Sequence, residues 1–127
     1  MTGYRLKRGE GSTYNLGIDF TVKAGEFQST NGAAVMEYVT RKGDEPDEHT
    51  HPTEDEMFYI LEGELTFHCE DQRFDVAAGG FVFLPRGVKH SYAIRSDGPV
   101  RLLVVTAPPR EQSKGWGGFI ADLESSA

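Results

Sequence analysis

Residues 43–63 read GDEPDEHTHPTEDEMFYILEG. His49 and His51, two of the chain's four histidines, stand one residue apart here and run into a cluster of carboxylates and then a compact apolar run. In an extended strand, residues two apart point to the same face, with Cα atoms about 6.5–7 Å apart. Imidazoles at that spacing can converge on one ion at bonds of about 2.1 Å. On a helix the same spacing turns the two side chains away from each other. The histidine pair therefore asks for a β context, and Met57–Leu61 supplies it.

Glu56 lies five residues beyond His51, an odd offset that would put it on the opposite face of a continuous strand. Pro52 cannot donate to a strand ladder, so a turn or bulge over residues 52–55 can reset the phase before Glu56 heads the next strand. Glu54 and Asp55 are ligands on chemistry alone, but Glu56 is preferred because the strand fixes its direction. Further along, His90 opens a strand just after the Pro85-Arg86-Gly87 turn, a rigid place from which to bring a fourth ligand. Three neutral imidazoles and one carboxylate around a divalent ion carry a net charge of about +1 and leave positions for water, O₂ or an anionic oxygen donor. His68 falls outside this pattern and reads as a strand residue facing solvent or a polar neighbour.

Outward from these segments, the chain reads as short strands divided by Gly, Pro and Asp turns. Tyr14–Val22 is one strand with a possible bulge at Gly17, Asn31-Gly32 a turn, and Ala33–Thr40 a second strand. Met57–Leu61, Leu65–Cys69, Phe74–Val76, Phe81–Leu84, His90–Arg95 and Val100–Thr106 follow. Phe81–Leu84 is wholly apolar, the pattern of a strand buried on both faces. Helical periodicity is nearly absent before residue 110, which points to an all-β sandwich or barrel. In the tail, residues 108–127, Phe119, Ile120 and Leu123 can line one face of a short helix. The expectation is one domain over residues 1–127, with its core at about 14–107.

The bulk numbers fit that picture. A chain of 127 residues has room for one modest core. Its net charge of −7 repels a phosphate backbone or an anionic membrane, so neither nucleic acid nor membrane is an expected partner. The basic cluster Arg5, Lys7 and Arg8 reads as a solvated arm. With Cys69 the only cysteine, no intramolecular disulfide forms, which suits a reducing cytoplasm. The first residues carry no apolar segment after their basic ones, against a secretory signal.

The two histidine segments together resemble the cupins. The first cupin motif, G-x5-H-x-H-x3-4-E-x6-G, is met by Gly43, His49, His51, Glu56 and Gly63. The second, G-x5-P-x-G-x2-H-x3-N, is met by Gly79, Pro85, Gly87 and His90, with Ile94 standing where the family often has Asn. The resemblance implies an all-β jelly-roll barrel, also described as a double-stranded β-helix. One divalent transition metal ion (Mn, Fe, Co, Ni, Cu or Zn) would sit inside it, and the assembly is commonly a homodimer. Residues 51–64, 81–90 and 117–123 are similar to the small single-domain cupins grouped with quercetin dioxygenases.

That likeness implies a metal-dependent dioxygenase acting with O₂ on a flavonol- or enol-like small molecule. His49, His51, His90 and Glu56 would hold the ion, and Glu56 would double as the catalytic base. Counting by two from Glu56 and from His90 places Phe58, Ile60, Tyr92 and Ile94 on the ligand face. They either line a substrate pocket or simply fill the barrel. Two other functions suit the same cage: a non-redox cyclisation or isomerisation of a polyketide-like ligand, and binding of a small molecule without turnover. The tail, with Trp116 and Phe119, is a candidate cover for the site.

Overall fold

The computed structural model describes residues 3–15, 19–25 and 33–107. Among them the regular structure is all strand. The strands are β1 (Ser12–Asn15), β2 (Asp19–Ala24), β3 (Ala34–Thr40), β4 (Asp55–Glu62), β5 (Glu64–Cys69), β6 (Gln72–Ala77), β7 (Phe81–Leu84), β8 (His90–Ile94) and β9 (Val100–Ala107). They form two antiparallel sheets, a larger one in the order β1-β2-β3-β9-β4-β7 and a smaller one in the order β6-β5-β8. This is the jelly-roll expected from the motifs. No helix among the described residues is long and apolar enough to cross a membrane.

The core lies between the sheets because alternate residues of each strand are apolar and face inward. In β3 the buried set is Ala34, Met36, Tyr38 and Thr40, and in β9 it is Val100, Leu102, Val104 and Thr106. β4 contributes Glu56, Phe58 and Ile60, so the carboxylate sits in phase with the core. Phe58, Phe67 and Tyr92 pack with ring centroids 5.2–6.3 Å apart, bridging the sheets. Each such ring contributes roughly 1.5–3 kcal/mol by leaving water. A buried hydrogen bond also joins the sheets, with the Tyr38 and Tyr92 hydroxyls 2.9 Å apart.

Two strand expectations need correction. Tyr14–Val22 is not one strand: Asn15 pairs with Asp19, so the chain reverses between them and β1 folds back on β2. Both arms are rich in β-formers, and propensity alone does not locate a hairpin inside such a run. β7 is not buried on both faces either. It is the edge of the larger sheet; Val82 and Leu84 face in, while Phe81 and Phe83 are 59% and 47% exposed. Gly17, the Asn31-Gly32 turn and the tail 108–127, with its expected helix and its Trp116 and Phe119, lie outside the described residues.

Gly63 shows why a glycine closes the first motif. It has φ +99° in the β4–β5 turn, and a Cβ there would lie 2.6 Å from Val100 Cγ2. A side chain at this position would be strained in its backbone and would collide with the core.

Candidate metal centre

Three short segments build the site. His49 precedes β4 in an extended segment that makes an isolated antiparallel bridge with His90. The His49 N–H donates to the His90 carbonyl at 3.0 Å and the His90 N–H to the His49 carbonyl at 2.9 Å. The Gly87 N–H donates to the His51 carbonyl at 2.8 Å, so the second-motif turn is pinned to the first motif. The chain then bends at Pro52 and Thr53 before β4 begins at Asp55, the phase change that brings Glu56 inward.

The structure brings His49, His51, Glu56 and His90 together, each offering one ligand atom within 4.8 Å of the others. Two atoms bonded to one ion at about 2.1 Å lie at most about 4.2 Å apart, so small side-chain shifts complete a coordination sphere. Glu56 Oε1 is 2.6 Å from His51 Nε2 and 3.1 Å from His90 Nε2. His90 Nε2 is 3.1 Å from His49 Nε2.

Backbone carbonyls fix how two of these rings face. His49 Nδ1 lies 2.6 Å from the Asp47 carbonyl, and His90 Nδ1 lies 3.2 Å from the Val88 carbonyl. A carbonyl only accepts, so each Nδ1 carries the hydrogen and each Nε2 presents a lone pair. Two lone pairs 3.1 Å apart repel unless a cation or proton lies between them. His51 Nε2 and both Glu56 oxygens are buried without a properly aligned hydrogen bond, despite the short contact between them. Buried polar atoms left in that state are costly in a dry site and are what a bound cation satisfies. The donor set fits a divalent transition metal held by three nitrogens and one oxygen.

Electrostatics point the same way. Burial would raise the Glu56 pKa, but the short contacts to His51 and His90 and the charge these rings can carry outweigh it and hold the carboxyl below its usual range. Burial would lower the His51 pKa, but the short contact to Glu56, with charge from Glu56 and Glu54, leaves it raised. Glu54 is itself 1% exposed and acts on the site through its charge, outside the four-residue cluster. Asp55 turns away to Arg86: Oδ1 accepts from the Arg86 N–H at 2.9 Å and from Nε at 3.2 Å, and Oδ2 from Nη2 at 3.1 Å.

Phe58, Ile60, Tyr92 and Ile94 face inward with the ligands, as counting by two expects, and all four are buried in the core. His68 is exposed on β5. Three supports escaped the sequence reading. Arg86, the variable residue of the P-x-G turn, holds Asp55 at the head of the ligand strand. Glu45 accepts the Gly43 N–H at 2.6 Å and the Ile94 N–H at 3.1 Å, tying the loop before the histidines to β8. Tyr38 meets Tyr92 from across the barrel. Only Glu45 left a trace, as a carboxylate two residues past a turn glycine.

Comparison with known proteins gives the same family. The family model described as "Cupin domain" matches residues 35–106. Quercetin 2,3-dioxygenase of Bacillus subtilis (strain 168) is 31% identical over 94 residues, 73% of this chain and 28% of that protein. Polyketide synthase CurC of Streptomyces cyaneus is 26% identical over 87 residues, 68% of this chain and 54% of that protein. The chain thus spans about half or less of the curated relatives it matches. Among solved structures, KdgF from Halomonas sp. superposes with a TM-score of 0.71 at 18% identity, covering 87% of this chain and 97% of that one. With both motifs, the jelly-roll and the family match in agreement, the chain belongs to the cupin family.

Proposed function

We propose that the protein is a metal-dependent cytoplasmic dioxygenase acting on a flavonol- or enol-like small molecule. The observation that carries this reading is the buried carboxylate of Glu56 set among three imidazoles, in a chain similar to a quercetin dioxygenase. His49, His51, His90 and Glu56 would hold one divalent ion. When bound, it supplies Lewis acidity and a meeting point for O₂ and an oxygen of the substrate.

The chain's own groups do the rest. Glu56 is kept ionised by its histidine neighbours, so it is ready to take the proton of an enol hydroxyl. The Nδ1 hydrogen bonds of His49 and His90 hold the rings still while that proton moves. Phe58 and Tyr92, one strand step beyond Glu56 and His90, give the substrate side an aromatic wall from which water is excluded.

The likeness to CurC supports a second reading, a non-redox cyclisation or isomerisation of a polyketide-like substrate at the same cage. One experiment separates the two. Protein loaded in turn with Mn, Fe, Co, Ni, Cu or Zn is mixed with a panel of flavonols and enols, with O₂ uptake and carbon monoxide release recorded. Uptake coupled to substrate loss supports the dioxygenase. Substrate rearrangement without uptake supports the second reading, and neither result with any metal leaves a binding role.

A further inference from the structure

The β9 neighbour of Glu56 is Thr106. The two stand directly opposite in the β4–β9 register, on the same inward face, and each is 1% exposed. Residues so placed have Cβ atoms about 4.5–5.5 Å apart, within reach of a hydroxyl and a glutamate carboxyl. On its other side Glu56 pairs with Leu84 of β7, which has no side-chain donor. Thr106 has Ala34 as its β3 partner, whose methyl group neither crowds the hydroxyl nor bonds to it. The Thr106 hydroxyl and both Glu56 oxygens lack an aligned hydrogen-bond partner among the described residues. A donor and an acceptor are thus buried side by side and unsatisfied, a state that folded proteins rarely leave uncorrected.

We infer that Thr106 is a positioning residue for the metal centre, its hydroxyl donating to the Glu56 oxygen that the ion leaves free. The inference rests on the metal reading of the cage and is independent of which reaction follows. Without an ion, Glu56 Oε1 is drawn to His51 and His90, at 2.6 and 3.1 Å. A carboxylate that takes an ion through one oxygen leaves the other buried, and metal-ligating carboxylates are themselves hydrogen-bonded. Of the two side chains that flank Glu56 in the sheet, Thr106 alone carries a donor. Pairing of β9 with both β3 and β4 fixes where that donor stands. Thr40 is an internal control. Its hydroxyl is equally buried and also without an aligned partner, but it faces Val100. It lies at the far end of β3, about 20 Å along the strand from Ala34.

Affinity of the full chain for Zn²⁺ and Ni²⁺, measured by competition with a coloured chelator, tests this. Thr106→Val removes the hydroxyl but keeps the branched shape and strand propensity, and should weaken binding about 10–100-fold. Thr106→Ala should weaken it likewise and carries the comparison if the valine variant fails to fold. Thr106→Ser keeps the oxygen and should bind as the wild type does, and so should Thr40→Val. Wild-type affinity in the hydroxyl-free variants overturns the inference and leaves the metal centre standing. A serine variant as weak as the valine one overturns it too, because shape and not the hydroxyl would then matter. So does an equal loss in Thr40→Val, which would reflect the barrel as a whole. A wild type that binds neither ion removes the metal reading and this inference together.

Discussion

His49 and His90 are joined twice through the main chain, by reciprocal hydrogen bonds of 3.0 and 2.9 Å. The bridge belongs to the backbone, so it survives loss of either imidazole. His49→Ala and His90→Ala should therefore fold, the half-buried His49 with metal-free stability within about 1 kcal/mol of wild type and the buried His90 with a loss of about 1–3 kcal/mol. Both should lose metal. Elemental analysis after dialysis should give far less than one ion per chain, and Glu56→Ala should behave alike. Retained stoichiometry in these variants would refute the cage.

Metal uptake should weaken as pH falls. Ligation needs neutral imidazoles, so protons compete with the ion. His51 has its pKa raised above the ordinary 6.5 in the metal-free protein, so competition begins above that pH and grows below it. Titration with a divalent ion should show affinity rising from pH 5.5 to about 8 with proton release. Glu56→Gln removes the main support of that raised pKa, and its competition should shift to lower pH.

The Asp55–Arg86 pair holds the P-x-G turn to the head of the ligand strand. Its side chains are 26% and 50% exposed, so solvent screens the charges and the pair is worth about 1 kcal/mol. Asp55→Ala should lower stability by about that amount. Its larger effect should fall on metal affinity, about 10–100-fold as for supports of metal ligands, measured by competition with a chelator. Equal affinity in variant and wild type would make the pair merely structural.

Glu45 gives an acid-side signature. Burial would raise its pKa, but the Ile94, Glu45 and Gly43 backbone N–H groups and the Lys42 charge outweigh this and leave it below 4.5. A carboxyl depressed in the folded state stabilises above its unfolded pKa, and that stabilisation is lost as pH falls through the folded value. Melting temperatures of wild type and Glu45→Ala should therefore differ most at pH 6 and converge as pH drops well below 4.5. A gap that does not narrow would rule this role out.

Tyr38 and Tyr92 offer a cycle. Tyr38→Phe leaves the Tyr92 hydroxyl without its mate in a buried place, which costs about 1–3 kcal/mol. Adding Tyr92→Phe removes the orphan, so the double variant should recover part of that loss in urea unfolding. Strictly additive losses would show that the hydrogen bond has no special weight.

The candidate ligands were legible because their spacing is restrictive. His49 and His51 must share a strand face, Glu56 must follow a phase reset, and His90 must follow a rigid turn; the structure places all four within reach of one point. An all-β sandwich or barrel followed from alternation and turn residues, and the jelly-roll from the resemblance carried by the two histidine motifs. What stayed hidden depends on partners distant in sequence. Nothing near Arg86 announces Asp55, thirty-one positions away, and nothing near Tyr38 announces Tyr92. The β1–β2 reversal was missed because both arms favour strands. The wholly apolar composition of β7 was visible, but its place at a sheet edge, with Phe81 and Phe83 facing outward, is set by its pairing with β4 and is not written in its four residues.

The bridge between the histidine segments has a consequence for the lifetime of the folded chain. His49 and His90 are forty-one positions apart, so an ion bound to both closes a long loop as a crosslink does. A permanent crosslink over such a loop stabilises by about 4 kcal/mol through the unfolded chain alone. This one would be removable: chelation would open it, and metal supply would restore it. Metal-loaded protein should resist proteolysis far longer than the chelated form, with the difference absent in His90→Ala. The abundance of this protein in a cell would then follow its metal supply, whatever reaction the site performs.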